Sequence, residues 1–391
     1  MNYCLFYALF WIFELLLYGL NWSDVNEPLD EGLMAFLIIT ILISLFVGIK
    51  YRDLFTFRYI ESSKYRPHTT VVLIITLLFF AEFVYCRQIP FFSILMGQSV
   101  YTSFTGIPVI HVFIVTFATY YSFYCYYLYE STNERQYLMH VAVVAFLQVL
   151  IFSRVALLIL FFEIIALKIS KAGGLLQILN PKRLIGLVIV AIVISYGFGV
   201  LGNLRCGYEW NDTTVIDMIG KYNDRYPDHL SSQFKWVYTY ITSPLANLNN
   251  GVERRTIDFD LVNYCVNYLP DFISRRLFPD HLSLIPDPLI YPELNAIVGY
   301  YNFYYFGGFF GALVMFLILV TGPVFMLKYF HFQEAQYYVF LMIVTELVVF
   351  LFFYDVFFLS QCCFVIVYPV LLSLFRNIKV RVIDKHERAS N

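Results

Sequence analysis

Long apolar runs separated by short polar breaks make up most of this 391-residue chain. About 20 apolar residues are needed for an α-helix to cross the roughly 30 Å hydrocarbon core of a bilayer. The pattern predicts ten such helices, at residues 3–20, 32–50, 69–86, 109–129, 137–152, 155–170, 184–203, 302–327, 337–354 and 356–375. Between Leu201 and Tyr300 the sequence is instead polar, aromatic and rich in arginine. We therefore expect one membrane domain over 1–391, with a large loop at 204–301 between the seventh and eighth helices.

Composition supports the same class. The chain is 60% hydrophobic and only 14% charged, and a soluble protein of this length could not hide so much apolar surface from water. The fold class expected is therefore an all-α polytopic integral membrane protein. The first apolar run has no basic segment before it and no small-residue cleavage site after it, so we expect it to be retained as a helix.

The distribution of positive charge predicts the orientation. With a cytoplasmic N-terminus, the cytoplasmic segments 50–68, 130–136, 168–183, 328–336 and 376–391 hold sixteen of the 26 lysines and arginines. The short segments on the other side contain only Arg87 and Arg154. Short loops decide orientation, since long loops are translocated largely regardless of charge. Both termini are therefore expected in the cytoplasm and the large loop outside it.

The fifth and sixth predicted helices are joined by a very short break. Residues 136–170 are too many for one membrane helix and barely enough for two, and Ser153-Arg154 is the one polar interruption. Two interpretations of Arg154 stay open. It is either an arginine at a helix end that reaches for the membrane surface, or a contact for an anionic substrate.

The large loop contains two stretches with helical apolar spacing. One runs from Phe234 to Leu245 and is expected to end at Pro244 and the Asn247–Gly251 segment. The other runs from Leu261 to Phe272. Such stripes lie on the membrane interface or pack on neighbouring helices. Several prolines then predict an extended return to the next helix.

Arginines in and near this loop are candidates for binding a diphosphate. Their forked guanidinium groups match phosphate oxygens, although ordinary headgroup contacts by interfacial arginines are the competing interpretation. Arg205 is the foremost candidate because it opens the loop at the expected membrane surface. The full candidate set is Arg205, Arg154, Arg254, Arg255, Arg275 and Arg276.

Glycosidic bond formation needs a group that accepts the proton of the acceptor hydroxyl. His281, which follows Arg275-Arg276, and Glu209, four residues after Arg205, are the candidates for this catalytic role. Asp258-Phe259-Asp260 has the D-x-D form that holds a divalent ion with a sugar nucleotide, but three residues are a weak signal. No metal or other cofactor is expected, because no His/Cys cluster has the spacing of metal ligands.

Aromatic residues and cysteines of the loop leave alternatives open. Tyr240, Tyr300 and Tyr301 are candidates for stacking on sugar rings, while tyrosine is also common in the aromatic belt at membrane interfaces. Cys206 and Cys265 could pair in an oxidising compartment. No nucleotide-binding or hydrolase motif occurs, and nothing indicates a nucleic-acid partner.

Four segments resemble those of the Wzy-type O-antigen polymerases, which join oligosaccharide repeat units in bacteria. Ser153-Arg154 is followed by V-A-L-L, G-N-L-R stands at 202–205, and N-A-I-V-G-Y-Y-N-F-Y-Y-F-G-G-F-F-G stands at 295–311. The stretch 240–248 is similar to one that such proteins carry inside the loop. The family often has an acid just before the Phe-Gly of this last motif, whereas this chain has Tyr305 there, before Phe306-Gly307. No catalytic acid is therefore assigned to that position.

The resemblance implies a helical C-type glycosyltransferase fold in the bacterial inner membrane. It also implies a donor and an acceptor that are undecaprenyl-diphosphate-linked oligosaccharides, used in the periplasm without sugar nucleotide or metal. A polysaccharide chain-length regulator is the implied protein partner, beside the lipid bilayer itself. The product would be the O-antigen of lipopolysaccharide or a related surface polysaccharide.

Three other functions remain open on the sequence. An O-antigen ligase would have similar helices and a similar loop. A glycosyltransferase using a lipid-monophosphate sugar would place its acid in the first loop, where Asp24, Glu27, Asp30 and Glu31 occur. A flippase for lipid-linked oligosaccharide would favour charged residues inside the bundle, and the scattered acids there are Glu14, Glu82, Glu163, Glu346 and Asp355.

Overall fold

The computed structural model describes residues 1–57, 59–60, 68–96, 104–174, 181–206, 208–254 and 257–375. In these ranges the chain is helical and forms no β-strand. The antiparallel bridge between Ser23 and Tyr222 is isolated. The predicted all-α class is therefore confirmed.

The helices of the first half are α1 (Tyr3–Gly19), α2 (Glu31–Lys50), α3 (Thr69–Cys86), α4 (Pro90–Leu95), α5 (Ile110–Thr132), α6 (Arg135–Leu150), α7 (Arg154–Lys171) and α8 (Pro181–Arg205). The second half has α9 (Thr214–Gly220), α10 (Gln233–Glu253), α11 (Leu261–Val266), α12 (Asp271–Leu277), α13 (Tyr301–Tyr329) and α14 (Glu334–Phe350). The last helix, α15, begins at Ser360–Cys363 and continues through a 3-10 turn at Phe364–Ile366 into residues 367–375.

Each of the ten predicted spans contains a helix, with ends shifted by a few residues at most sites. By length and apolar composition, α2, α3 and α13 could each cross a membrane. Shorter apolar helices are Tyr3–Gly19, Arg135–Leu150, Val188–Leu204 and Ser360–Phe375. A helical membrane protein is therefore supported, and the number of ten crossings stays a prediction.

The connections between helices meet at two opposite ends of the bundle. At one end the N-terminal amine donates to Phe55 O, and the Tyr338 hydroxyl donates to Thr56 O over 2.6 Å. At the other end the residues 21–30, 208–300 and 351–359 contact one another. We call this second end the loop end, and it carries the polar sites described below.

The centre of the bundle is formed by α1 and α14. The Tyr7 hydroxyl of α1 lies 2.5 Å from that of Tyr300 and donates to Thr40 over 2.9 Å. In α14 every residue from Tyr338 to Phe350 is buried. These hydrogen bonds give buried hydroxyls the partners that an apolar interior otherwise denies them.

The short break between the fifth and sixth predicted helices is present. Helix α6 ends at Leu150, Phe152 has a left-handed φ of 58°, and α7 begins at Arg154. Gln361 of α15 donates to the Ser153 hydroxyl over 2.8 Å, so this turn lies at the loop end.

Helix α10 is longer than the sequence predicted. It continues through Pro244 and the Asn247–Gly251 segment to Glu253, so the expected end before these residues was wrong. Its asparagine side chains bond to other segments of the loop end instead of turning back on their own backbone, which is the usual way that asparagine ends a helix. The second apolar stripe forms two short helices, α11 and α12, because Pro270 directly precedes α12.

Two glycines let α8 lie directly against α10. A Cβ at Gly199 would lie 2.1 Å from Gln233 O, and one at Gly202 would lie 2.7 Å from the Trp236 ring. Most of α8 before this contact is exposed and apolar, as at Val193, which is 64% exposed. The helix is therefore attached to the rest of the fold mainly near its C-terminal end.

Helix α13 is broken at Gly308, where φ is 60° and ψ is −161°. Only glycine adopts this backbone region readily. The Asp258 N–H donates to Tyr305 O over 2.9 Å, one turn before the break. The side chains of Ile257 and Phe259 come within 4 Å of the position that a Cβ of Gly308 would take.

Candidate functional site

Helix α10 positions the first loop at the loop end. The Tyr238 hydroxyl accepts hydrogen bonds from Trp22 N–H over 3.1 Å and from the Asn26 amide over 2.8 Å. Further along the helix, Asn249 Oδ1 accepts from Asp30 N–H over 2.8 Å. The acidic segment between α1 and α2 is thus fixed along α10.

The same helix positions the extended segment that returns to α13. The buried Asn247 amide donates to Leu294 O and Ala296 O over 2.6 and 2.9 Å, and its Oδ1 accepts from Ile290 N–H over 3.0 Å. Asn250 donates to Pro288 O over 2.7 Å. Sequence reasoning missed this role, although an asparagine-rich N-L-N-N-G segment on an apolar helix face was the available signal.

Between these two fixed segments lies a cavity of about 210 Å³, which we call the charged cavity. It brings together two carboxylates, two cations, two amides and a phenol. The lining residues are Asp24, Val25, Glu27, Lys221, Ala246, Asn249, Asn250, Arg254, Ile290 and Tyr291.

The charges of this cavity are held by local contacts. Asp24 N–H donates to Lys221 O over 3.0 Å, and Asn223 donates to the Asp24 carboxylate over 2.8 Å. Arg254 donates to Asp287 O over 3.0 Å. The Tyr291 phenol, with smaller effects of Asp24 and Glu27, raises the pKa of Lys221. The ammonium group therefore stays charged at neutral pH, beside both carboxylates.

A second cavity, of about 230 Å³, lies next to the first, and we call it the aromatic cavity. Residues 290–291 line the charged cavity and residues 292–295 line the aromatic one, so the two lie along one continuous segment. The lining residues are Cys206, Val215, Ile219, Trp236, Thr239, Tyr240, Pro292, Glu293, Leu294 and Asn295.

Comparison of this chain with protein-family models, curated proteins and solved structures finds no match. The likeness to the Wzy-type polymerases therefore remains an expectation from the sequence, and the site is interpreted from its own geometry.

The candidate arginines that the structure describes do not meet at one cavity. Arg254 lines the charged cavity. Arg275 lies 3.9 Å from Asp271 and over the Phe358 ring, and Arg276 donates to Phe272 O in its own helix. Helix α8 ends at Arg205 and α7 begins at Arg154, but both side chains, and all of Arg255, lie outside the described residues.

The surroundings of His281 do not suit a catalytic base. Its ring is 2% exposed and stacks on Phe306. Nδ1 lies 2.8 Å from Asn263 Oδ1 and Nε2 lies 2.7 Å from Asn267 Oδ1. Because both nitrogens already have partners inside the protein, neither can take a proton from a substrate hydroxyl in this arrangement.

The two influences on the charge of His281 oppose each other. Burial lowers the pKa of the ring, and the Asp260 carboxylate raises it less. The two neighbouring amide oxygens oppose burial, because each favours a proton on the ring nitrogen that it faces, and Asn267 is held by a bond of 3.3 Å to Asn302 O. Asn263 is held more firmly, by Asp260 over 2.8 Å. Burial has the larger effect on the pKa, so the structure favours the neutral ring.

This histidine belongs to a polar chain that the sequence did not predict. Beyond Asn267, the Asn302 amide donates to Asp355 over 3.0 Å. Asp355 also accepts from Phe357 N–H and Phe358 N–H over 3.2 Å each. Burial raises the pKa of Asp355 to about 7. The chain connects α11, α13 and the segment between α14 and α15, so its evident role is to join the elements of the loop end.

The remaining candidates differ in accessibility. Glu209 is exposed and does not line either cavity. Tyr240 is half-buried at the aromatic cavity. Tyr300 and Tyr301 are 1% and 3% exposed, so they do not present a ring to a sugar here. Tyr300 packs on Trp11 and Phe36, while Tyr301 donates to Pro286 O over 2.8 Å.

Asp260, one of the two acids of the D-x-D segment, has a structural role. Its carboxylate accepts from Val262 N–H and Asn263 N–H and so caps α11. Among the described residues, no group of three or more His, Cys, Asp and Glu side chains could hold a metal ion. Cys206 and Cys265 are both free and exposed in the structure, without a bond between them.

Several of the described acids lie inside the helix bundle. Glu82 pairs with His111 over 2.9 Å. The carboxylates of Glu14, Glu163 and Glu346 are buried. Those of Glu14 and Glu163 have no hydrogen-bond partner among the described residues, and that of Glu346 lies beside the Cys362 thiol.

Proposed function

We propose that this protein is a glycosyltransferase that polymerises undecaprenyl-diphosphate-linked oligosaccharide repeat units at the periplasmic face of the bacterial inner membrane. The observation that supports it best is the charged cavity, in which carboxylates, cations and amides meet at one end of an apolar helix bundle. Glycosyl transfer from a lipid diphosphate needs a proton acceptor, a site for negative charge and hydrogen bonds to sugar hydroxyls. The cavity holds a group for each.

The cations would hold the diphosphate of the donor. Lys221 and Arg254 line one cavity and offer several N–H donors. As the glycosidic C–O bond of the donor breaks, its electron pair passes to the diphosphate oxygen. Cations beside that oxygen stabilise the transition state more than the bound donor, which accelerates the reaction.

Glu27 would act as the catalytic base. The Asp24 carboxylate already accepts from Asn223, whereas Glu27 is exposed and its carboxylate has no hydrogen-bond partner among the described residues. Its oxygen can take the proton of the acceptor hydroxyl while the hydroxyl oxygen attacks the anomeric carbon. This assignment replaces His281 and Glu209, and it places the chemistry between the first loop and α10.

A strain that lacks the gene and carries it on a plasmid tests the proposal. We expect the wild-type gene to restore a ladder of surface glycolipid, and Glu27→Gln to reduce transfer about 10²- to 10⁴-fold, the usual contribution of a general base. Lys221→Ala and Arg254→Ala, which remove the two cations of the cavity, are expected to reduce it as well. Glu31→Gln is the matched control, because this exposed acid belongs to the same loop region and does not line the cavity.

The strain without a plasmid separates polymerase from ligase. A core that carries one repeat unit indicates a missing polymerase, whereas a core without any repeat unit indicates a ligase, a flippase or an earlier transferase. A full ladder from Glu27→Gln, with the protein at its normal level in the membrane, would exclude Glu27 as the base.

A second candidate is a transferase that uses a lipid-monophosphate sugar. It is favoured by the position of two first-loop acids, Asp24 and Glu27, in the charged cavity. Asp30 does not share that role, because its carboxylate caps α2 through Gly32 N–H and Leu33 N–H. Purified protein that transfers sugar from a lipid monophosphate, and not from a diphosphate, would favour this candidate.

A further inference from the structure

We infer that the aromatic cavity is a saccharide subsite, separate from the charged cavity, that binds the sugar portion of a lipid-linked substrate. This inference rests on the proposed function and assigns a binding role to a second part of the same end of the molecule.

The lining of this cavity has the chemistry of a sugar site. Sugar rings combine apolar C–H faces with hydroxyl groups, so proteins bind them with aromatic side chains and nearby hydrogen-bonding groups. The half-buried Tyr240 supplies aromatic surface, and Glu293 and Asn295 supply a carboxylate and an amide. Both polar side chains are exposed, and neither has a hydrogen-bond partner among the described residues. They are therefore available to sugar hydroxyls.

The described part of the lining also differs from that of the charged cavity. Neither a lysine nor a described arginine lines this cavity, whereas both a lysine and an arginine line the charged one. Glu293 would repel a phosphate. A neutral sugar is thus the better match, and the volume of about 230 Å³ is below the range of about 300–1,000 Å³ typical of drug-sized ligands. We therefore expect about one sugar ring to be enclosed.

The position of the cavity suits a substrate that arrives from the bilayer. Cys206, in its wall, directly follows the last residue of α8. The side chains of α8 before that end are largely apolar and exposed, including Ile189 at 55% and Ile194 at 54%. A polyprenyl chain could lie along this surface while its saccharide enters the cavity. The continuous segment 290–295 then places that saccharide beside the charged cavity.

A native thiol gives a direct test of binding without turnover. Cys206 lines the aromatic cavity and Cys265 on α11 does not, and both are exposed. The rate of maleimide labelling is measured at each thiol in purified protein, with Cys86→Ser to remove the partly exposed third thiol. The probes are the saccharide-linked undecaprenyl diphosphate pool extracted from host membranes, and sugar-free undecaprenyl diphosphate.

We expect the saccharide-linked lipid to slow labelling of Cys206 several-fold, while Cys265 keeps its rate and the sugar-free lipid has little effect. Equal protection by both lipids, or no protection by either, would overturn the inference. Glu293→Gln keeps the size of an exposed side chain and should weaken the protection several-fold. If the protection of Cys206 were unchanged in this variant, Glu293 would not contribute to binding in the subsite.

Failure of the subsite and failure of the proposed function give different results. Glu27→Gln should keep the protection of Cys206 and lose transfer, because it changes only the charged cavity. If the wild-type protein showed protection of Cys206 but no transfer, the inferred subsite would be supported and the proposed glycosyltransferase activity would be rejected. If it showed transfer but no protection of Cys206, the proposed activity would be supported and the inferred subsite would be rejected.

Discussion

At the scale of single residues, the loop end is held together mainly by amide side chains. Asn247, Asn249 and Asn250 on α10 bind two separate backbone segments, the first loop and the segment that returns to α13, and Asn263 and Asn267 bind the two sides of His281. An amide can both donate and accept, so it can satisfy buried backbone groups without bringing in a charge. The charged side chains are then free to line the cavities.

The buried His281 leads to a prediction about pH. Burial lowers its pKa below the ordinary value of about 6.5, so the unfolded chain binds more protons than the folded protein as the pH falls. The stability that the neutral ring contributes is present above about pH 6.5 and is lost as the pH falls toward 5. We expect wild-type protein to lose stability over this interval relative to His281→Gln.

The measurement is the thermal unfolding midpoint in detergent between pH 5 and pH 8. His229→Gln, at an exposed position in the same large loop, controls for the loss of a histidine. If the wild type gained stability relative to His281→Gln at low pH, the form held by the two amides would be the imidazolium.

At the scale of helices and turns, close packing depends on residues that have no side chain. Helix α8 contacts α10 at Gly199 and Gly202, where a Cβ would lie inside the van der Waals distance of the neighbouring helix. This contact also brings Cys206 and Trp236 to the same cavity. The shape of the aromatic cavity thus depends on two glycines outside it.

Gly199→Ala tests that dependence. The added methyl group would meet Gln233 O at 2.1 Å, so α8 must move away from α10, at a cost of about 1–3 kcal/mol in the free energy of unfolding. Gly197→Ala is the matched control on the same helix, because a Cβ there meets no atom within 4 Å. Its higher helix propensity should leave stability equal or greater.

Chemical or thermal unfolding of both variants in detergent is the measurement. Equal stability of Gly199→Ala and Gly197→Ala would show that the two helices do not approach as closely as described. A faster reaction of Cys206 with maleimide in Gly199→Ala alone would show that the displacement reaches the aromatic cavity.

The sequence predicted the helices far better than the site. Apolar runs are long and depend only on neighbouring residues, so the turn at Ser153-Arg154 was found within a residue or two. The predicted end of α10 was wrong, because the carbonyl groups that accept hydrogen bonds from Asn247, those of Leu294 and Ala296, lie almost fifty residues away. The meeting of Glu27 and Lys221 in one cavity could not be predicted either, because the two residues are far apart in the sequence. Local pattern contains no information about such pairs.

At the scale of the whole molecule, the two ends of the bundle should lie on opposite sides of the membrane. Cys206 and Cys265 are exposed at the loop end, and the exposed Asp53 lies at the other, where the short helix Arg52–Phe55 packs near the N-terminus. A membrane-impermeant maleimide applied to spheroplasts should therefore label Cys206 and Cys265 directly.

In the same cells, Asp53→Cys should react only after the membrane is permeabilised. Each thiol is examined in a protein in which the other accessible cysteines, including Cys86, are changed to serine. If Asp53→Cys reacted in intact spheroplasts and Cys206 did not, the charged cavity would face the cytoplasm.

In a membrane, the break at Gly308 would set the depth of the loop end relative to the lipid. Helix α13 has 29 residues, which at 1.5 Å each would measure about 44 Å, more than the roughly 30 Å of a bilayer core. The part after the break, residues 309–329, measures about 31 Å. A crossing by these residues would place Gly308 level with the lipid headgroups, together with the neighbouring Phe259 and the exposed Leu261. Any ligand tethered to that leaflet would find the cavities by diffusion in two dimensions, at an effective concentration that bulk solution never reaches.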